Sequence, residues 1–221
     1  MTKTRITAAT AVAFALSIAQ ASATVISSTF DTGDDGWHAY DPTGDYTSTW
    51  HSSGGNPDGF LDGIETDPQG GVGYFIAPSK FLGNLSAYAG GTLTYDFKVI
   101  VGADYNYFDA ADVIISNGAT SVSWDPNINP VGYGWYTFQV QLTEANFGSN
   151  LAFILSNVTE LQIRGEFISY SEEEGLDNVL LATPSQTPLP AALPLFATGL
   201  GGLGLLGWRR KRKNTAALAA A

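Results

Sequence analysis

The chain has 221 residues and no cysteine, so neither a disulfide nor a thiolate nucleophile can be invoked. Residues 24–186 hold all 21 acidic residues of the chain but only three basic ones, a net charge of −18. This excess argues against nucleic acid as a partner, because backbone phosphates would be repelled, and it favours divalent cations.

The first 23 residues are typical of a secretory signal peptide. Lys3 and Arg5 precede an uncharged, alanine-rich run over residues 6–19. Ala21 and Ala23 then supply the small-residue motif that signal peptidases cleave. We therefore predict a signal helix over residues 1–23, recognition by the export machinery, and cleavage after Ala23.

Residues 24–182 are predicted to form one all-β domain. Aromatic and β-branched residues recur in short runs between clusters of Gly, Asn, Asp and Pro. The clearest strand is 92–101, where Leu93, Tyr95 and Phe97 alternate with polar residues. Further strands are predicted at 25–30, 47–51, 72–76, 112–116, 120–124, 135–142, 161–168 and 177–181, with helical turns at 143–147 and 152–157. About nine or ten such strands favour an antiparallel jelly-roll β-sandwich.

A second apolar segment follows the polar, proline-containing linker 183–188. Residues 189–208 carry no charge, and five cations come directly after them: Arg209, Arg210, Lys211, Arg212 and Lys213. Twenty helical residues reach about 30 Å, the thickness of the hydrocarbon core of a bilayer. The segment 189–213 therefore predicts a transmembrane helix whose basic end holds residues 214–221 in the cytoplasm and leaves the acidic domain outside.

Several motifs of the β domain occur in an order that resembles a known family. Residues 74–84 read Tyr-Phe-Ile-Ala-Pro-Ser-Lys-Phe-Leu-Gly-Asn, and Ser-Ala-Tyr follows at 86–88. Together with 155–166 and 175–179, this order resembles the laminin B domain, also called laminin type IV, over about residues 30–182. The resemblance implies a jelly-roll sandwich akin to carbohydrate-binding modules, without known catalytic activity. Cysteines and EGF-like modules are missing, so roles in animal basement membranes are not carried over.

The C-terminal segment resembles the PEP-CTERM sorting signal of Gram-negative, exopolysaccharide-producing bacteria. Its proline motif is Pro188-Leu189-Pro190, with Leu189 in place of the usual Glu. A Pro-x-Pro step cannot continue a helix, so it leaves extended backbone that a protease can reach. The resemblance implies anchoring in the inner membrane, processing by an exosortase-like enzyme, and delivery to the cell surface or extracellular matrix. A permanent membrane anchor is the alternative.

No catalytic motif stands out in the sequence. His38 and His51 lack the spacing of metal ligands, and no Gly-x-Ser-x-Gly elbow is present. We therefore expect a structural or adhesive surface protein and not an enzyme. A carbohydrate-binding module with a defined sugar site is the alternative. A hydrolase of matrix sugars is less favoured, although a glycosidase needs only two carboxylates.

The acidic loops are candidates for calcium, which takes six to eight oxygen ligands at about 2.3–2.6 Å. In the carbohydrate-binding jelly rolls to which the resemblance points, an acid beside the first strand and an Asp of the last strand share a structural calcium. By that similarity we expect Asp31 and Asp177 to bind it. Residues 41–45 and 58–67 are weaker candidate loops. The alternative is that Asp31 caps a turn and Asp177 only accepts backbone hydrogen bonds.

A polysaccharide partner would require exposed aromatic rings beside polar side chains, because sugar rings stack on aromatic faces. The candidates in the sequence are Trp50, Tyr105, Tyr107 and Trp124. The alternative for each is packing in the core or under loops, which we expect for Trp37, Trp135 and Tyr136.

Overall fold

The computed structural model describes residues 23–66, 71–102, 107–130 and 132–185. These ranges belong to the segment Ala23–Ser185, here called the β domain. The predicted signal peptide, the proline motif, the transmembrane segment and Tyr105 lie outside the described residues. Within the described ranges, no helix is both long enough and apolar enough to cross a membrane.

Short runs of aromatic and β-branched residues form eleven strands in this part of the chain. The strands are β1 (Val25–Ser28), β2 (His38–Tyr40), β3 (Tyr46–His51), β4 (Phe60–Glu65), β5 (Tyr74–Ile76), β6 (Thr92–Val101), β7 (Val113–Ser116), β8 (Ser121–Trp124), β9 (Tyr136–Gln141), β10 (Glu160–Arg164) and β11 (Glu173–Ala182). The short helices are α1 (Glu144–Phe147) and α2 (Leu151–Leu155), preceded by 3-10 turns at Ser79–Phe81 and Ser86–Tyr88. Both predicted helical turns are therefore confirmed.

The strands form two antiparallel sheets. The six-stranded sheet has the order β3-β4-β11-β6-β9, with β1 paired to the far half of β11. The five-stranded sheet has the order β2-β5-β10-β7-β8. Between β4 and β11 the chain passes repeatedly from one sheet to the other, as in a jelly roll. The predicted antiparallel β-sandwich is thus confirmed.

One apolar core lies between the two sheets. Phe97, Phe75 and Ile163 are fully buried, and their strands come from both sheets. Burying one such side chain stabilises a fold by about 1.5–3 kcal/mol, so this core can replace the missing disulfides. Because the β domain contains both sheets and the whole core, we expect it to fold without the terminal segments.

Two strands were not predicted from the sequence. Residues 58–67 were interpreted as an acidic loop, but Phe60–Glu65 form β4, which lies between β3 and β11 in the six-stranded sheet. Asp62 and Glu65 interrupt the apolar pattern by which a strand is predicted from sequence. The other missed strand, β2, has only three residues.

Candidate functional site

The solvent side of the six-stranded sheet carries an unusual set of side chains. Successive residues of a strand point to opposite faces, so Leu61 and Phe97 enter the core while their neighbours point outward. The strand register places Thr49, Asp62, Gly175 and Lys98 in one row across β3, β4, β11 and β6. The outer face is defined here by the following residues: Thr49, His51, Phe60, Asp62, Lys98, Trp135, Glu173 and Gly175.

Three rings meet in the middle of the outer face. The His51 and Phe60 rings stack with centroids 5.0 Å apart, and Phe60 meets Trp135 edge-on at 5.7 Å. A Cβ atom at Gly175 would lie 2.8 Å from the indole ring and 3.0 Å from the phenyl ring. Only glycine therefore allows both rings to lie against the sheet. The indole N–H donates to the carbonyl of Gly54 at 3.3 Å, which fixes the ring orientation.

Trp37, Tyr136 and Trp135 were all expected to pack in the core or under loops. Trp37 is buried in the core, and Tyr136 packs partly against the core. Trp135 does not enter the core: it lies on the outer face, is partly exposed, and contacts the loop carbonyl of Gly54. Lys98 places its Nζ 5.7 Å from the centroid of the indole ring. The indole thus has one cationic neighbour on this face.

Two acidic side chains lie beside the rings. Asp62 is only 2% exposed, and its Oδ2 is 3.2 Å from Nε2 of His51. Its other oxygen, Oδ1, accepts no hydrogen bond from an N–H or hydroxyl group. The pKa of Asp62 is raised to about 6. Burial is the main cause, the charge and the hydrogen-bonding carboxyl group of Glu173 act in the same direction, and His51 opposes them. This part of the outer face therefore has strong acceptors and few donors.

The predicted calcium ligands Asp31 and Asp177 lie close enough to interact electrostatically. Asp177 is fully buried, and its oxygens accept backbone hydrogen bonds from Asn56 at 2.6 Å and Asn178 at 2.7 Å. The pKa of Asp177 is raised to about 6. Burial is the main cause, the charges of Asp96 and Asp31 act in the same direction, and the two backbone hydrogen bonds oppose them. Asp31 is exposed and accepts a hydrogen bond from Thr29 Oγ1 at 2.7 Å.

The oxygen atoms around Asp177 suit calcium only in part. Asp96 accepts hydrogen bonds from Thr137 Oγ1 at 2.6 Å and from the amides of Asn56 and Asn178. Three carboxyl groups thus share one region in which their hydrogen-bond partners are neutral, and hard oxygen donors suit calcium. Among the described residues, however, no three acidic or histidine side chains are arranged around a common metal position. Calcium would therefore need backbone carbonyls as further ligands.

The loop 41–45, also considered for calcium, is closed by its own hydrogen bonds. Asp41 is fully buried and accepts from the backbone N–H groups of Gly44 at 2.7 Å and Tyr46 at 3.1 Å. Thr43 adds its backbone N–H and its hydroxyl group. Burial would raise the pKa of Asp41, but these hydrogen bonds outweigh it and lower the pKa. The carboxylate therefore organises the turn that leads into β3.

The described sugar-binding candidates all contact the core. Trp50 points inward from β3, and its indole N–H donates to the carbonyl of Phe30 at 2.6 Å. Tyr107 donates its hydroxyl hydrogen to the carbonyl of Pro130 at 2.5 Å. Trp124 belongs to β8 of the five-stranded sheet and also packs partly against the core. These three residues do not belong to the outer face, and Tyr105 lies outside the described residues.

Sequence reasoning also missed a group of acidic residues inside the β domain. Tyr46 donates its hydroxyl hydrogen to Glu174 Oε2 at 3.2 Å, and both residues are buried. Glu172 accepts from the backbone N–H of Phe167 at 2.5 Å, and Glu166 accepts from that of Gly73 at 2.8 Å. Burial raises the pKa of Glu166 to about 7 and that of Glu172 to about 8. These groups make the stability of the fold sensitive to pH.

Comparison with known proteins points to one family. The family model described as "Laminin B (Domain IV)" matches residues 74–193. Laminin subunit gamma-2 of Homo sapiens is 30% identical over 169 residues, which cover 71% of this chain and 13% of that protein. Laminin subunit gamma-1 of Homo sapiens is 30% identical over 215 residues, covering 86% of this chain and 12% of that protein. The chain therefore spans about an eighth of the length of these relatives.

A solved structure agrees with the observed fold. The L4b domain of human laminin alpha-2 superposes with a TM-score of 0.54 at 12% sequence identity. The superposition covers 73% of this chain and 98% of that domain. At this identity the similarity concerns the fold, and it supports the same two-sheet architecture.

Proposed function

The chain belongs to the Laminin B (Domain IV) family, and on that premise we propose that it is a non-catalytic adhesive module that holds polysaccharide on its outer face. The observation that carries this proposal is the group of rings around Gly175. Trp135 and His51 are the rings that solvent reaches, and the buried Phe60 braces both of them. Rings that lie outside the core beside polar groups are typical of sugar sites, because sugar C–H faces stack on aromatic surfaces.

The polar groups of the outer face suit the hydroxyl groups of a sugar. Lys98 offers donors on one side of Gly175, and Glu173 offers acceptors near the other side. Glu173 also lines a cavity of about 300 Å³ that includes Ile64 and Val101. The face therefore continues beyond the rings along the strands and offers room for more than one sugar unit.

Binding of the β domain to purified polysaccharides tests this function. Trp135→Ala removes a stacking surface and should weaken binding about tenfold or more. The matched control is Phe153→Ala, because Phe153 is 64% exposed on α2, away from the six-stranded sheet. Equal affinity of both variants would refute the outer face as the sugar site. It would leave a structural or adhesive role without a defined sugar site.

The sequence at both ends supports a proposal for the cellular location. The protein would be exported, inserted through residues 189–208 into the inner membrane of a Gram-negative bacterium, and cut by an exosortase-like enzyme. The β domain would then reach the cell surface or the polysaccharide matrix. Mass spectrometry of the surface form should find a C-terminus near Pro188. A mature form that retains residues 209–213 would instead indicate a permanent anchor.

Calcium is the proposed cofactor of the region around Asp177. Asp31 and Asp177 would hold the ion, and its charge would offset the repulsion between these carboxylates and Asp96. Asn56 donates its backbone N–H to Asp177, and Trp135 donates to Gly54 in the same loop. A structural ion would therefore steady the loop 54–58 and, through it, the indole ring of the outer face.

A further inference from the structure

We propose that the outer face selects glycans whose sugar units carry free amines, which deepens the proposed polysaccharide function and rests on it. The amine would bind on the side of the face formed by β3, β4 and the start of β11. There Asp62 and Glu173 lie next to each other, and His51 lies against Asp62. A protonated amine would bring these two acids a positive charge and three hydrogen-bond donors.

Asp62 and Glu173 are two acids in close contact. Asp62 is 98% buried, given its 2% exposure, and it points outward from β4 and not into the core. His51 approaches its Oδ2, Oδ1 is buried and accepts from no N–H or hydroxyl group, and the carboxyl group of Glu173 hydrogen-bonds to Asp62, so that the two acids can share one proton. Because Glu173 is partly exposed, an ammonium group can contact it and offset the repulsion that arises when both acids are ionised.

In the described residues, neither lysine nor arginine forms an ion pair with Asp62 or Glu173. Among the described residues, the ion pairs join Lys80 to Asp35, Arg164 to Asp112 and His51 to Asp62. Glu173 takes part in none of these ion pairs and is partly exposed, so a ligand can contact it directly. Lys98 is two strands away from Asp62, about 10 Å across the sheet, and its Nζ lies over the Trp135 ring.

The net negative charge of the β domain excludes one class of glycan. Its 21 acidic residues, balanced by only three basic ones, repel polymers rich in uronic acids. An ammonium group needs no cage of ligands, since acceptors in an open arrangement satisfy its three N–H donors.

Titration calorimetry of the β domain with four matched hexasaccharides tests the inference. The probes are β-1,4-linked glucosamine, its fully N-acetylated form, cellohexaose as the neutral control, and a hexauronate. The measurements are made at pH 6 and near-physiological salt, so that electrostatic attraction between the acidic domain and a cationic glycan is screened beyond about 8 Å. The glucosamine hexamer should bind about tenfold or more tightly than the other three probes.

Two variants separate local recognition from overall charge. Glu173→Gln should abolish the preference for the amine while cellohexaose binding is retained. Glu160→Gln removes the same charge from β10 of the opposite sheet and should leave the preference intact. Equal affinity for glucosamine and cellohexaose would overturn the inference and leave the polysaccharide function standing. A preference for the amine that survives Glu173→Gln would also overturn the inference. Absence of binding to all four probes would overturn both the inference and the proposed polysaccharide function.

Discussion

Glu166 offers a sharp test of how buried acids control the stability of the β domain. This side chain is 3% exposed, and its Oε2 accepts the backbone N–H of Gly73 at 2.8 Å. The pKa of Glu166 is raised from the ordinary 4.5 to about 7. Burial is the main cause and the negative charge of Glu65 adds to it, whereas the N–H of Gly73 and the positive charge of Arg164 lower the pKa. Since one pKa unit corresponds to about 1.4 kcal/mol, ionising Glu166 in the folded state costs about 3 kcal/mol more than in the unfolded chain.

The sign of the effect follows from the direction of this pKa. The folded state holds the proton more tightly, so its advantage is present at low pH and is lost as the pH rises from about 4.5 through 7. Glu172, whose pKa burial raises to about 8, acts in the same direction. The free energy of unfolding of the β domain should therefore fall between pH 5 and pH 8.

Glu166→Gln isolates the contribution of one group. Glutamine has nearly the same shape, and its carbonyl oxygen can accept the same N–H of Gly73. The difference between variant and wild type should move by about 2–3 kcal/mol in favour of the variant between pH 5 and pH 8. Urea unfolding followed by tryptophan fluorescence at several pH values measures this difference.

A matched control makes the outcome decisive. Glu144→Gln removes a carboxylate from an exposed position of α1, and its effect should be small at every pH. If the difference in stability between Glu166→Gln and wild type stayed constant from pH 5 to pH 8, Glu166 would ionise as easily in the folded state as in the unfolded chain. That result would refute the reasoning from burial.

Three further predictions concern the ion, the outer face and the core. Chelation of calcium should lower the melting temperature of the β domain, and Asp177→Ala should abolish this dependence; an unchanged melting curve would count against a structural ion. Gly175→Ala should displace the Trp135 and Phe60 rings, cost about 1–3 kcal/mol in urea unfolding and weaken glycan binding, whereas unaltered binding would show that the rings are not held by close packing. Phe97→Ala should cost about 3–5 kcal/mol, because Phe97 is fully buried; a loss below 1 kcal/mol in the same assay would contradict the assigned core.

The strands with a regular pattern could be predicted from sequence. Strand β6 was predicted with its observed bounds, Thr92–Val101, because one face lies on the core and the other meets solvent. Strand β4 was missed because both of its faces carry acids: Glu65 points inward, Asp62 points outward, and Gly63 lies between them. Local propensity treats such a segment as a loop, and only its pairing with β3 and β11 makes it a strand.

The candidate site depended on contacts that a single sequence cannot reveal. Asp177 was identified by resemblance, and the structure adds its burial and its hydrogen bonds. Phe60, Trp135 and Gly175 are far apart in sequence, and strand register alone brings them together. An aromatic residue just before a strand, such as Trp135, gives no local sign of the face it will occupy.

Strands β4 and β11 each carry residues of the outer face and a buried acid, Glu65 in β4 and Glu174 in β11. In β11, Glu173 points to solvent beside Asp62, while the next residue, Glu174, points inward to the hydroxyl group of Tyr46. In β4, Gly63 leaves space for the Tyr46 ring, because a Cβ there would lie 2.1 Å from the hydroxyl oxygen. Each strand therefore carries proposed recognition on one side and pH-sensitive packing on the other. The acids that weaken a hydrophobic pattern in the sequence are the groups that give this sandwich its proposed chemistry.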